Sequence, residues 1–174
     1  YRYFFEQNQG SRLVCDSTEL YIALFRGINV GGRNLLPMKE LVSIMEDCGH
    51  SDVRTYIQSG NVVFSGGSVS ADKIADQVEQ RKGFRPEVLI LGLPELEQAL
   101  KNNPFKNAEG KALHFSFCKS RPESVDEERL NLLKSASEEY ALKGRVFYLH
   151  APDGIGRSKL AGQVERCLGV PVTG

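Results

Sequence analysis

Apolar and polar positions change rhythm several times along the chain, and each change marks an element. YIALFRG, starting at Tyr21, is a short apolar run closed by glycine, the pattern of a buried strand. Pro37 stands where the first turn of a helix tolerates it. Met38, Leu41, Val42, Met45 and Cys48 then recur at helical spacing, and Gly49 ends the run. SDVRTYIQ and VVFSG flank the turn signal SGN and predict a hairpin. Ser70 is placed to cap a second helix that carries Ile74, Ala75 and Val78 on one face and closes at Gly83. RPEVLILG supplies a fourth strand. Residues 20–92 therefore predict β-α-β-β-α-β, the order of the ferredoxin-like unit.

The order then returns. After a linker helix and loop over residues 93–110, KALHFSFC predicts a strand. Ser124 and Glu127 have the spacing of a capping box ahead of a helix bearing Val125, Leu130, Leu133 and Ala136. EEYALKG and RVFYLHA predict a strand pair. SKLAGQVERCLG predicts a helix with Leu160, Ala161, Val164 and Leu168 on its apolar side, and VPVTG begins a last element. Residues 111–174 thus give β-α-β-β-α with the final strand short or missing. The expected class is α+β, two tandem ferredoxin-like (βαββαβ) halves, the second incomplete at its C-terminus. The repeat lies in element order, not in residue identity. Residues 1–19 show no clear period and lack the layout of a signal peptide, so an extraneous or loosely ordered extension is expected there.

Composition excludes several classes. A chain of 174 residues with 41% hydrophobic side chains is long enough for a real core. Its 22 basic and 22 acidic side chains cancel, so the basic surplus of a dedicated duplex-DNA binder is missing. Cys15, Cys48, Cys118 and Cys167 lie far apart, without the paired spacing of a zinc site or the density of a disulfide framework. Reduced thiols in a cytoplasmic protein are expected. No apolar run approaches the ~20 residues of a membrane span. Walker, GxGxxG, HExxH and GxSxG motifs are absent, and no cofactor or metal is expected.

Candidate chemistry gathers in two loops. RGINVGGRNLLPMKEL starts at Arg26 and joins the first strand to the first helix. Gly27, Gly31 and Gly32 let the backbone turn tightly, Arg26 and Arg33 carry forked donors, and Asn29 and Asn34 offer neutral polar groups. The unpaired amides at a helix start attract an anion. PDGIGRSKL repeats this arrangement with Arg157, Ser158 and Lys159. Each loop also has a plain explanation, in which the glycines make turns and the cations are solvated. A third stretch, TYIQSGNVVFSG, places Gln58, Ser59 and Asn61 at a hairpin. There they make a turn, or present donors and acceptors to a base edge or an amide. His114 and Cys118 share one strand face but sit about 13 Å apart. Phe25, Tyr56, Phe64, Phe115, Phe117, Phe147 and Tyr148 are expected to fill the core rather than to stack bases.

These features favour a binding module for a phosphate-bearing or other anionic ligand, a nucleotide or single-stranded nucleic acid. Two alternatives stand beside it. One is an enzyme on a small phosphorylated or carboxylated substrate, for which no general base with a partner is visible. The other is a structural or partner-binding protein without a small ligand, for which pairing of sheets into a homodimer suits the fold. RGINVGGRNLLPMKEL, DVRTYIQSGNVVFSG and GIGRSKLAGQVERCLGVPVT together resemble a bacterial family catalogued as domain of unknown function 1697. The resemblance covers residues 21–173. It implies a duplicated α+β architecture and brings no activity, cofactor or catalytic residue. Members of that family usually begin just before the strand at Tyr21 and run on past the position of Thr173 with an Arg-Asn-Trp segment. The resemblance therefore implies that residues 1–19 are extraneous and that the second half lacks a closing segment.

Overall fold

The structure, a computed structural model, describes residues 19–56 and 60–174. Its first half runs β1 (Glu19–Arg26), α1 (Met38–Asp47), β2 (Ser51–Tyr56), β3 (Asn61–Gly66), α2 (Ala71–Lys82) and β4 (Glu87–Gly92). Helix α3 (Leu93–Asn102) leads into the second half. That half runs β5 (Leu113–Cys118), α4 (Glu127–Leu133), β6 (Glu139–Lys143), β7 (Val146–His150), α5 (Val164–Leu168) and β8 (Val172–Thr173). The described residues form two four-stranded antiparallel sheets, ordered β2-β3-β1-β4 and β6-β7-β5-β8. The strand order is the same in both. No helix among the described residues is long and apolar enough to cross a membrane.

Alternation along the strands decides the layers. Ala23, Phe25, Val62 and Phe64 face one way and pack against Leu41, Ile44, Met45, Ile74 and Val78 of α1 and α2. Ile22, Leu24 and Leu91 face the other way, onto Ala99 of α3 and Phe117 of β5. In the second half Cys118, Phe147 and Leu149 pack against Leu130, Val164 and Leu168 of α4 and α5. The two sheets therefore share an apolar seam, with helices on their outer faces. Each fully buried Leu or Phe contributes roughly 1.5–3 kcal/mol. Tyr148 is fully buried, and its hydroxyl donates to the Ala99 carbonyl at 2.8 Å. The linker helix is thus part of the core, because a buried phenol needs an acceptor and α3 supplies it.

Two helix starts differ from expectation. Asp126, not Ser124, caps α4; its carboxylate accepts from the Arg129 amide at 2.9 Å. A charged acceptor complements the helix dipole better than a hydroxyl, and it sits one register closer to the helix. The helix expected over SKLAGQVERCLG is reduced to Val164–Leu168, preceded by a 3-10 turn at Ile155–Arg157. Gly156 and Gly162 weaken helix propensity there, and Ser158 accepts the Ala161 amide at 2.9 Å, closing a local turn instead. Ser70 does cap α2, through the Lys73 amide, and Gly83 ends that helix at φ +74°.

Candidate functional site

The opening loop, residues 27–34, is closed largely by its own atoms. Asn29 holds a left-handed backbone (φ +54°), and its side chain clamps Leu36 twice. It donates to the Leu36 carbonyl at 2.9 Å and accepts the Leu36 amide at 2.8 Å. The Asn34 side chain donates to the Gly27 carbonyl at 2.8 Å. The Asn29 amide donates to the Asn34 carbonyl and the Arg33 amide to the Val30 carbonyl. At the head of α1 the amides of Glu40 and Leu41 turn back onto the Pro37 carbonyl. Glu40 adds its own negative charge in that first turn, paired with Lys82 at 3.0 Å. Arg26 lies between two carboxylates, Glu87 at 2.9 Å and Glu165 at 2.7 Å. Glu165 lies in the first turn of α5, so this pair also ties the two halves together. The asparagines here are a scaffold, and Arg26 is neutralised from within.

The hairpin presses on the same loop. A Cβ at Gly60 would stand 2.3 Å from Ile28 Cδ1, so only glycine fits. Asn61 is the first residue of β3, opposite Tyr56 and Leu24 in the ladder. Gln58 and Ser59 lie outside the described residues. A cleft of about 480 Å³ runs from Phe25 and Arg26 past Asn29 to Val172, Thr173 and Gly174. Neither Arg33 nor the 157–159 segment lines it.

Arg157, Ser158 and Lys159 belong to a different cleft, of about 490 Å³. Its other walls are the end of α4 with the turn that follows it (Leu132, Leu133, Lys134, Ser135, Glu138) and the loop after β7 (Ala151, Asp153, Gly154). These segments are distant in sequence. The β6–β7 ladder brings them together, with Glu139 opposite His150. Arg157 and Lys159 form no ion pair or side-chain hydrogen bond with any described residue. Glu138 is only 4% exposed, yet it too has no ion pair among the described residues. One of its oxygens accepts the Ser135 amide at 2.9 Å. Asp153 accepts the Ser137 hydroxyl at 2.5 Å, and Ser137 lies 3.2 Å from the Ser135 hydroxyl. Leu132 stands 84% exposed at the rim.

His50, Cys48, Cys118 and Cys167 are buried packing groups, and His114 is half-buried. The His50 ring lies 4.6 Å from the Phe64 ring, and Gly66 has no room for a Cβ because His50 Nδ1 would be 2.8 Å away. His50 Nδ1 and His114 Nε2 are buried and have no hydrogen-bond partner among the described residues. Burial holds the protonation of both rings below the usual histidine range, with the Lys73 charge adding to the effect at His50. Cys48, Cys118 and Cys167 are free and buried, and burial pushes each thiol up. No group of three or more His, Cys, Asp or Glu side chains among the described residues is arranged to hold a metal ion.

Sequence reasoning named Arg157, Ser158 and Lys159 but missed their neighbours Lys134, Ser135, Glu138 and Asp153. A signal existed in KSASEE, a polar turn between an apolar helix and an apolar strand. It was hidden because Glu138 was assigned to the start of the strand, which begins at Glu139.

Comparison with known proteins gives a fold and a family. A conserved bacterial protein from Streptococcus pneumoniae has a solved structure similar to this one, with a TM-score of 0.54 and 24% identity. The match covers 87% of this chain and 83% of that one. No curated protein matches the chain. Residues 19–148 match the family model described as "Protein of unknown function (DUF1697)", and the chain belongs to that family.

Proposed function

We propose that this protein is a binding module for a phosphate-bearing ligand, seated in the cleft between the α4–β6 turn and the 153–159 loop. The observation that carries this reading is the pair of unneutralised cations, Arg157 and Lys159, lining a cleft of about 490 Å³. That volume lies within the range of small-molecule sites, roughly 300–1,000 Å³. Guanidinium and ammonium groups together bind phosphate by fork and point charge. In this reading the sites of the two loops do not merge. The 26–34 loop, with Gly27, Asn29, Gly31, Gly32 and Asn34, is a scaffold, and Arg33 is a solvated cation. The architecture is taken as a tandem of ferredoxin-like units, a reading supported by the strand order shared by both sheets. Free, buried thiols at three of the four cysteines favour a reducing, cytoplasmic setting.

Thermal unfolding with inorganic phosphate tests the site. A ligand at a hundred times its Kd stabilises by about 2.7 kcal/mol. For a chain of this size that is a rise in Tm of roughly 5–10 °C. The rise is expected to vanish in Arg157→Ala/Lys159→Ala and to persist in Arg33→Ala. A rise that survives the double substitution overturns the assignment.

A further inference from the structure

The same cleft carries hydrogen-bond acceptors as well as cations. Asp153 accepts the Ser137 hydroxyl, because a carboxylate has no proton to give. The proton of Ser137 is then committed, so the Ser135–Ser137 contact at 3.2 Å must use the Ser135 proton. Ser135 therefore turns only lone pairs toward the cleft it lines. Among the described residues Asp153 keeps one oxygen without a partner, and so does Glu138, a side chain that is nearly fully buried. Three acceptors thus line the cleft. With them stand the donors Arg157, Lys159 and Ser158, whose oxygen is occupied by the Ala161 amide and whose proton is free to donate.

We infer that the ligand is a small phosphorylated polyol, such as a sugar phosphate. The inference rests on the phosphate reading of the cleft. The phosphate lies against Arg157, Lys159 and Ser158, and the hydroxyls donate to Ser135, Glu138 and Asp153. The last carbonyls of α4 carry partial negative charge beside Ser135, which favours hydroxyls over the phosphate at that end of the cleft. Neutral hydroxyls fit these acceptors better than an ammonium group. Lys134 already lines the cleft, with its ammonium 3.2 Å from the Glu138 carbonyl, and a second cation there would be repelled.

Calorimetric titration of the full chain with glucose 6-phosphate, hexyl phosphate, O-phosphoethanolamine and inorganic phosphate separates the claims. Glucose 6-phosphate is expected to bind about tenfold tighter than the other three, the worth of one or two net hydrogen bonds. Ser135→Ala/Asp153→Asn, both at exposed positions, is expected to erase that preference while leaving phosphate affinity in place. Equal affinities, or tightest binding of O-phosphoethanolamine, overturn the polyol assignment alone. Failure of all four to bind, or binding that survives Arg157→Ala/Lys159→Ala, overturns the phosphate site beneath it.

Discussion

Two loops with the same sequence signature, glycines and cations ahead of a helical pattern, have opposite fates in the two halves. In the first, Asn29 and Asn34 satisfy the loop from within, and Arg26 is held by Glu87 and Glu165. In the second, the segment carries no asparagine, the helix shrinks to Val164–Leu168, and Arg157 and Lys159 line a cleft with no ion pair to any described residue. One half is knitted shut and the other leaves polar groups for a ligand. Glycine and arginine content does not distinguish the cases; the side chains available to close the backbone do.

The most damaging test of this contrast is at the seam, where both halves depend on the same side chains. Leu24→Ala is expected to cost about 2–5 kcal/mol and to lower stability in one cooperative urea transition. Separate transitions, with the second half unmoved, would show that the halves are independent. Next comes the loop comparison itself. Asn29→Ala leaves the buried Leu36 amide and carbonyl without partners and is expected to cost about 2–3 kcal/mol. Ser158→Ala, which loses one local bond, is expected to cost about 1 kcal/mol or less. Equal costs in chemical denaturation would erase the difference drawn between the loops.

Acid sharpens the comparison further, since each half has one histidine with a buried nitrogen that finds no hydrogen-bond partner among the described residues. Both rings are held neutral in the fold, with protonation lowered from the ordinary value of 6.5. An unfolded chain takes up these protons first as the pH drops. Stability is therefore full above about pH 6.5 and declines below it, by at most about 1.4 kcal/mol per pH unit for each ring. Removing the imidazole with His50→Asn should flatten part of that slope between pH 6.5 and 5; an unchanged slope places the acid sensitivity elsewhere. Tyr148→Phe, which leaves the Ala99 carbonyl without its donor, is expected to cost about 1 kcal/mol with the seam intact. The smallest effect is at Arg26→Ala, roughly 0–1 kcal/mol and weaker in salt, because its ion pairs are partly exposed.

The sheet and helix order was legible because apolar periodicity is local. Every strand of the first half, its Ser70 cap and its Gly83 stop follow from neighbours a few residues away. The Asp126 cap was missed because two acceptors compete within three residues and charge decides between them. The short α5 was missed because apolar spacing at Leu160, Ala161, Val164 and Leu168 is equally satisfied by a turn followed by a helix. Of the cleft, only the Arg157–Lys159 segment was legible. Glu138 and Asp153 become neighbours only after β6 folds onto β7, and no window of sequence contains that pairing.

Amide chemical-shift mapping of the full chain with inorganic phosphate, at fixed pH and ionic strength, tests the phosphate cleft most directly. The expected shifts fall at Leu132, Lys134 and Ser135 and from Gly154 to Ala161, with Gly31 to Asn34 undisturbed. Shifts concentrated at Gly31 to Asn34, or none in the 154–161 segment at saturating phosphate, would contradict it.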